Sequence, residues 1–200
     1  PYTHWIMMGL KERKSTIPGI NFVGAFDSDD YVLTFETKPD KRIEKNMDVI
    51  VNRLQKHGVV GYTEFLYDKM QFTWNDGNYY GSALVGQNPV QKGNLIRDIY
   101  YSGGKYNDIL MMIQDGVIVY LYAMFIVSCI YFIKNKKNEC HVVLLAIFGL
   151  LIFLLIWETT PKYLLHYVPI FIVAGVYGTK VLYDQMTEYR NRKKEKGTNG

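Results

Sequence analysis

The sequence predicts an all-α membrane protein, with three transmembrane helices preceded by a mainly helical extracytoplasmic domain. Three observations carry that prediction. Apolar runs at residues 116–133, 140–157 and 163–183 are each long enough, or nearly so, to cross a hydrocarbon core that takes roughly 20 helical residues. The connection Lys134-Asn135-Lys136-Lys137-Asn138-Glu139 and the tail bearing Arg190, Arg192, Lys193, Lys194 and Lys196 are basic, as cytoplasmic flanks of spans are. Residues 1–115 read instead as short amphipathic helices broken by turns, with few strand signals and no internal repeat.

The basic flanks orient the chain. With both in the cytoplasm, the second connection, Glu158-Thr159-Thr160-Pro161-Lys162, and residues 1–115 fall on the outer side. The division is then an extracytoplasmic, membrane-apposed domain over 1–115, a three-span segment over 116–188 and a basic cytoplasmic tail over 189–200. A mean hydropathy of −0.07 hides this, because it averages two unlike halves. Residues 1–115 hold 13 Lys and Arg against 14 Asp and Glu, whereas residues 116–200 hold 10 against 5. The net charge of +4 is therefore a topology signal, and no nucleic acid is expected as a partner.

Cys129 and Cys140 sit near the cytoplasmic ends of the first two spans and read as reduced packing residues. The outer half has neither cysteine nor an Asn-x-Ser/Thr site, which suits a bacterial cell membrane. The first ten residues are too short and polar for a secretory signal. The expectation is thus the C-terminal part of a larger multi-pass protein, packed against an N-terminal transmembrane region of the same chain and against membrane lipids.

Along the outer half, Tyr2, Trp5, Ile6, Met7, Met8 and Leu10 suit either an interfacial amphipathic segment or a buried turn. Pro18-Gly19 reads as a turn, Asp27-Ser28-Asp29-Asp30 as a loop, and 31–37 as a short strand or extended connector. Residues 40–57 carry the clearest soluble helix. Ile43, Met47, Ile50, Val51 and Leu54 recur at three- and four-residue steps, Pro39 precedes the start, and Gly58 follows the end. Its other face, with Lys41, Arg42, Lys45, Asn52, Arg53 and Lys56, reads as solvated or headgroup-facing. Further helices are predicted over 61–73 and 94–102, separated by a polar, Gly-rich stretch to Gly93, and 105–114 runs on into the first span.

The second connection concentrates the chemistry. Glu158, Lys162, Tyr163, His166 and Tyr167 lie at or just inside the interface, where ionisable groups are costly and mark function by default. A cation there suits the phosphate of a headgroup or lipid-linked sugar. The plain alternative is that Trp157 and Lys162 anchor helix ends by snorkelling. The carboxylates of Asp27, Asp29 and Asp30 lack the α/β frame of a nucleotide-sugar metal site and read as a solvated loop. His4, His57, His141 and His166 show no metal-ligand spacing, so no metal site is predicted and no cofactor is named by the residues.

The run Trp157-Glu158-Thr159-Thr160-Pro161-Lys162-Tyr163-Leu164, followed by Tyr167-Val168-Pro169, resembles the Glu-x-x-x-Arg-Tyr and downstream Pro pattern of bacterial C-type membrane glycosyltransferases. These are polytopic relatives of the protein mannosyltransferases that use polyprenyl-phosphate sugars. Thr3-His4-Trp5-Ile6-Met7-Met8-Gly9-Leu10, Arg53-Leu54-x-x-x-Gly58 and Phe72-Thr73-Trp74-x-Asp76-Gly77 also resemble outer-loop segments of Gram-positive members. The resemblance implies transfer of a sugar from a polyprenyl-phosphate donor to a cell-envelope acceptor on the outer face. Its catalytic acidic residues would lie in a first outer loop that this sequence does not contain. It carries over Glu158, Lys162 and Tyr163 as donor-side residues, with Lys162 in place of the usual Arg, and Trp74 and Asp76 as weaker surface contacts for a sugar or headgroup. Another class fits the same sequence: a non-catalytic membrane subunit, such as a surface sensor, assembly factor or transporter segment, whose outer domain binds a partner.

Overall fold

The computed structural model describes residues 1–14, 21–82, 94–136 and 141–198. Its elements in order are α1 (Thr3–Met8), β1 (Glu12–Lys14), β2 (Asn21–Val23), α2 (Ser28–Glu36), a 3-10 turn (Pro39–Lys41), α3 (Arg42–Trp74), α4 (Leu95–Tyr100), α5 (Asn107–Lys134), α6 (His141–Ile156), a second 3-10 stretch (Pro161–Tyr167) and α7 (Val168–Thr198). The chain is predominantly helical, as predicted. The turn at Pro18-Gly19, most of the Gly-rich stretch before Gly93, and Cys140 lie outside the described residues.

Two sequence expectations in the N-terminal part are corrected. Residues 28–36 form helix, not a loop followed by a strand, because Asp27 is an N-cap: its carboxylate accepts from the Asp29 and Asp30 amides at 3.0 and 3.1 Å. Asp29 and Asp30 then place negative charge in the first turn, where the helix dipole favours it. Lys11 closes the arrangement with an ion pair to Asp27 at 2.5 Å. Burial alone would raise the Asp27 carboxyl, but Lys11 and the two backbone donors outweigh it and hold it below its ordinary value. The second correction is a small antiparallel hairpin in which Glu12, Arg13 and Lys14 pair with Val23, Phe22 and Asn21.

Helix α3 joins the predicted helices 40–57 and 61–73 into one element. It is kinked rather than ended at Gly58, whose φ of 60° and ψ of −172° a side chain would resist. Its inward face differs from the sequence reading. Asn46 and Ile50 are buried and Arg53 is half-buried, whereas Ile43, Met47, Val51 and Leu54 form an exposed apolar stripe. Asn46 and Arg53 turn inward because they have partners there, while Lys41, Lys45, Asn52 and Lys56 stay exposed. Arg53 donates to both oxygens of Asp30 at 2.7 Å and to the Met7 carbonyl at 2.6 Å. Asn46 donates to Thr3 Oγ1 at 3.2 Å and accepts the Thr34 hydroxyl at 3.0 Å. With its proton so committed, Thr34 accepts from His4 Nδ1 at 3.0 Å, so that nitrogen carries a proton, and burial lowers the His4 pKa. Met7, Leu10, Val23, Ile50 and Phe65 form the apolar core around this network, so α1 contributes to the core, with Tyr2 and Trp5 exposed beside it.

Helix α5 and the segment Pro161–Lys194 are each long and apolar enough to cross a membrane. They pack closely through small residues. A Cβ at Gly178 would sit 2.0 Å from the Met124 carbonyl, and Ser128 donates to the Ala174 carbonyl at 2.6 Å. Thr179 donates to the Gly175 carbonyl and so accepts from Tyr120 at 2.6 Å. Helix α6 is shorter. Its 16 residues make about 24 Å of helix, less than a core of about 30 Å, and Val142, Leu145 and Phe148 are exposed along it. Helix α7 runs without a break to Thr198, so the basic tail is largely a continuation of that helix.

Candidate functional site

The segment between α6 and α7 is held from three sides, and the hold centres on a lysine that periodicity assigns to the buried face of α3. Phe65, Lys69 and Thr73 follow one another at four-residue steps and are each at most 1% exposed. Lys69 Nζ donates to the Gly9 carbonyl at 2.6 Å, the Leu155 carbonyl at 2.9 Å and the Trp157 carbonyl at 2.8 Å. Two of these belong to the C-terminal end of α6 and the third to the end of α1, where carbonyls lack helical partners. Burial pulls the Lys69 pKa down to about 7, and Glu158 opposes that shift. Three acceptors around one nitrogen call for three N–H donors, so the geometry fits the ammonium form.

Around Lys69 the backbones come close. A Cβ on Gly9 would lie 2.7 Å from the Ile156 carbonyl oxygen, so no larger residue fits without separating α1 from α6. Thr159 N–H donates to the Gly24 carbonyl at 2.7 Å. Thr73 donates its hydroxyl to the Lys69 carbonyl at 2.7 Å, which leaves it to accept from Thr159 at 3.0 Å. The second connection is thus stitched to α1, β2 and α3 by backbone and side chain together.

The structure brings the three donor-side residues named from the sequence into one group. Glu158 is 2% exposed and accepts the Tyr163 hydroxyl at 2.6 Å. The Lys162 ammonium lies 5.7 Å from the centre of the Tyr163 ring and its side chain is exposed. Glu158 is therefore a buried orienting group, Tyr163 its partner, and Lys162 the cation presented outward. His166 is also exposed, in the 3-10 stretch preceding α7, and Tyr167 packs with Leu150, Leu154 and Leu164.

Trp74 and Asp76 take different roles. The Trp74 ring packs between α5 and α7, 5.9 Å from Tyr122 and 6.1 Å from Phe171, with its indole nitrogen buried. Asp76 organises the turn that follows α3. Its carboxylate accepts from Asn78 N–H at 2.9 Å and Tyr80 N–H at 2.6 Å, and Asp115 accepts from Gly77 N–H at 2.9 Å. Two successive non-glycine residues here, Tyr79 and Tyr80, have φ of 53° and 67°. Such conformations cost on the order of 1–3 kcal/mol each and persist only where surrounding contacts enforce them.

Sequence reasoning missed Lys69, Gly9 and Thr73. The available signal was the charged residue placed in register with Phe65 and Thr73; the carbonyls it meets are distant in sequence and carry no side-chain signature.

A family model described as a conserved hypothetical integral membrane protein matches residues 1–181. No curated protein and no solved structure matches the chain.

The Glu158–Tyr163 contact has a measurable consequence. Tyr163→Phe leaves a buried carboxylate without its hydroxyl donor and should lower stability by about 1–3 kcal/mol. Glu158→Gln in the same background should cost little further, because the pair is already broken. Thermal unfolding of the four proteins in one detergent checks this; additive losses would mean that the two side chains act separately.

Proposed function

The chain belongs to this family of integral membrane proteins, and we propose that it forms the donor-binding part of a glycosyltransferase that takes a sugar from a polyprenyl phosphate. The observation that carries this reading is the exposed Lys162 ammonium beside a Tyr163 ring whose hydroxyl is tied to buried Glu158. A cation fixed near the membrane interface stabilises a departing lipid phosphate as its charge develops. The resemblance of residues 157–169 to the C-type membrane glycosyltransferases supports the same assignment. The acceptor-activating carboxylate would come from another part of the protein.

In this reading α5, α6 and α7 are three spans, with residues 1–106 and the Lys162 segment outside a bacterial cell membrane and Lys134 to Lys136 inside. The Lys and Arg distribution supports that orientation. The short α6 reaches the interface through the Lys69 contacts at its end. Its exposed apolar side supports packing against lipid or further spans of the same protein, and the stripe from Ile43 to Leu54 supports a module lying along the bilayer. A non-catalytic membrane subunit would use those apolar faces too, but has no need of the Lys162 arrangement.

Orientation is checked with an impermeant thiol reagent on intact cells. A cysteine at Thr160 or Asn75 should be labelled and one at Asn135 should not until the membrane is opened. Labelling of Asn135 from outside would overturn the outer placement of the site.

Donor binding is checked by transfer from a polyprenyl-phosphate sugar, normalised to folded protein. Lys162→Ala should reduce transfer roughly tenfold to a hundredfold, the loss of one hydrogen bond to a charged group. Lys162→Arg should retain or improve it, since a guanidinium pairs with phosphate in two-pronged fashion. Unchanged turnover per folded molecule in Lys162→Ala would leave Lys162 as a helix anchor and favour the subunit.

A further inference from the structure

A cavity of about 300 Å³ opens beside the second connection, with Pro161 in its wall. Pockets for small ligands run from about 300 to 1,000 Å³, so there is room here for one compact ligand and no more. Aromatic rings line it from two directions: Phe22 and Phe72, in edge contact at 5.9 Å, and Tyr80 from the strained turn. Asp76, Asn78, Ser82 and Asn107 supply polar groups to the same space.

Those polar groups are linked in a way that leaves hydrogen-bonding capacity directed at a neutral, hydroxyl-rich ligand. Each Asp76 carboxylate oxygen holds one backbone N–H and keeps a further lone pair. Ser82 Oγ receives the Asn107 amide at 3.0 Å and the Asn78 amide as well. Among the described residues its own proton faces the Met111 sulfur at 3.9 Å, a weak acceptor that a ligand oxygen would displace. Among the described residues that line the cavity there is no Lys or Arg. The Asn78 and Asn107 amide N–H groups are spent on Ser82, Met111 and the Ile99 carbonyl, so the ligand meets ring faces for its C–H surfaces, the Ser82 hydroxyl and the Asp76 carboxylate, a combination complementary to a pyranose.

The Tyr79–Tyr80 turn is a second, independent sign. Two left-handed tyrosines in succession are costly, and the turn sends Tyr79 into the packing around Leu150 and Leu164 while Tyr80 lines the cavity. Asp76 both holds that turn and faces the ligand space, so the strain maintains the cavity wall.

We propose that this cavity binds a single sugar ring of the transferred or accepting saccharide. The proposal rests on the transferase reading for the identity of the saccharide, but the binding itself is independent of Lys162. The test is saturation-transfer NMR on the full chain in lipid nanodiscs, with a panel of methyl hexosides and N-acetylhexosaminides as probes. Saturation should pass to the ring protons of at least one glycoside. Tyr80→Gly removes the ring yet takes the positive φ without strain, so it should fold at least as well while binding about tenfold more weakly. Asn107→Ala should weaken binding similarly.

Lys162→Ala should keep glycoside binding even where donor transfer is lost, which separates failure of the cavity from failure of the transferase reading. Competition by a short-chain polyprenyl-phosphate glycoside, abolished in Lys162→Ala, would assign the ring to the donor; absence of competition would assign it to the acceptor. Transfer of saturation to none of the glycosides, or transfer undiminished in Tyr80→Gly, would overturn the proposal.

Discussion

The arrangement depends on a buried ammonium. Lys69 reaches from near the C-terminal end of a long helix to three carbonyls at the ends of two others. Moving a charge out of water is expensive, and the cost is offset only where every donor is used. Here each N–H has an acceptor, and the acceptors are helix-terminal carbonyls that need a donor as much as the lysine needs them. Removing Lys69 would therefore leave orphaned carbonyls as well as an open space, so the residue specifies how the N-terminal module sits on the apolar helices.

Two different kinds of packing meet at that joint. The module is organised by polar side chains satisfied in its interior: Arg53 with Asp30, and His4 through Thr34 and Asn46 to Thr3. The pair α5 and α7 is organised by small residues and close backbone approach, which suits helices that gain nothing from hiding apolar surface in lipid. Between them, Trp74, Tyr122 and Phe171 fill the boundary. The exposed cation of Lys162 and the cavity beside Pro161 belong to the same short connection. Their relative placement is set by the Thr159 contacts to Gly24 and Thr73.

Much of this was legible from residue order. The apolar runs and the start of a helix at Asn94, whose side chain accepts from the Ile96 and Arg97 amides, rest on local chemistry, whereas Gly58, which reads as a helix stop, only kinks α3. Asp27 was misread because the residues after it, Tyr31 to Phe35, are aromatic and β-branched enough to suggest a strand; capping and the early carboxylates prevailed over propensity. The inward face of α3 was misread because apolar residues were assigned to the core. The polar residues Asn46, Arg53 and Lys69 are the ones with distant partners. Glu158, Lys162 and Tyr163 could be grouped from sequence because they are neighbours. Lys69 and Gly9 could not, since their contacts span 60 residues or more.

The central claim is that Lys69 ties α1 and the end of α6 to α3. Hydrogen exchange on Lys69→Met, compared with the natural protein in nanodiscs, tests it most directly. Breaking a buried, hydrogen-bonded charge costs on the order of 3–5 kcal/mol, so amides in α1 and around residues 156–164 should exchange about a hundredfold faster or more. Those of α5 and α7, held by their own contacts, should keep their protection. Unchanged protection around 156–164 in Lys69→Met would contradict the claim.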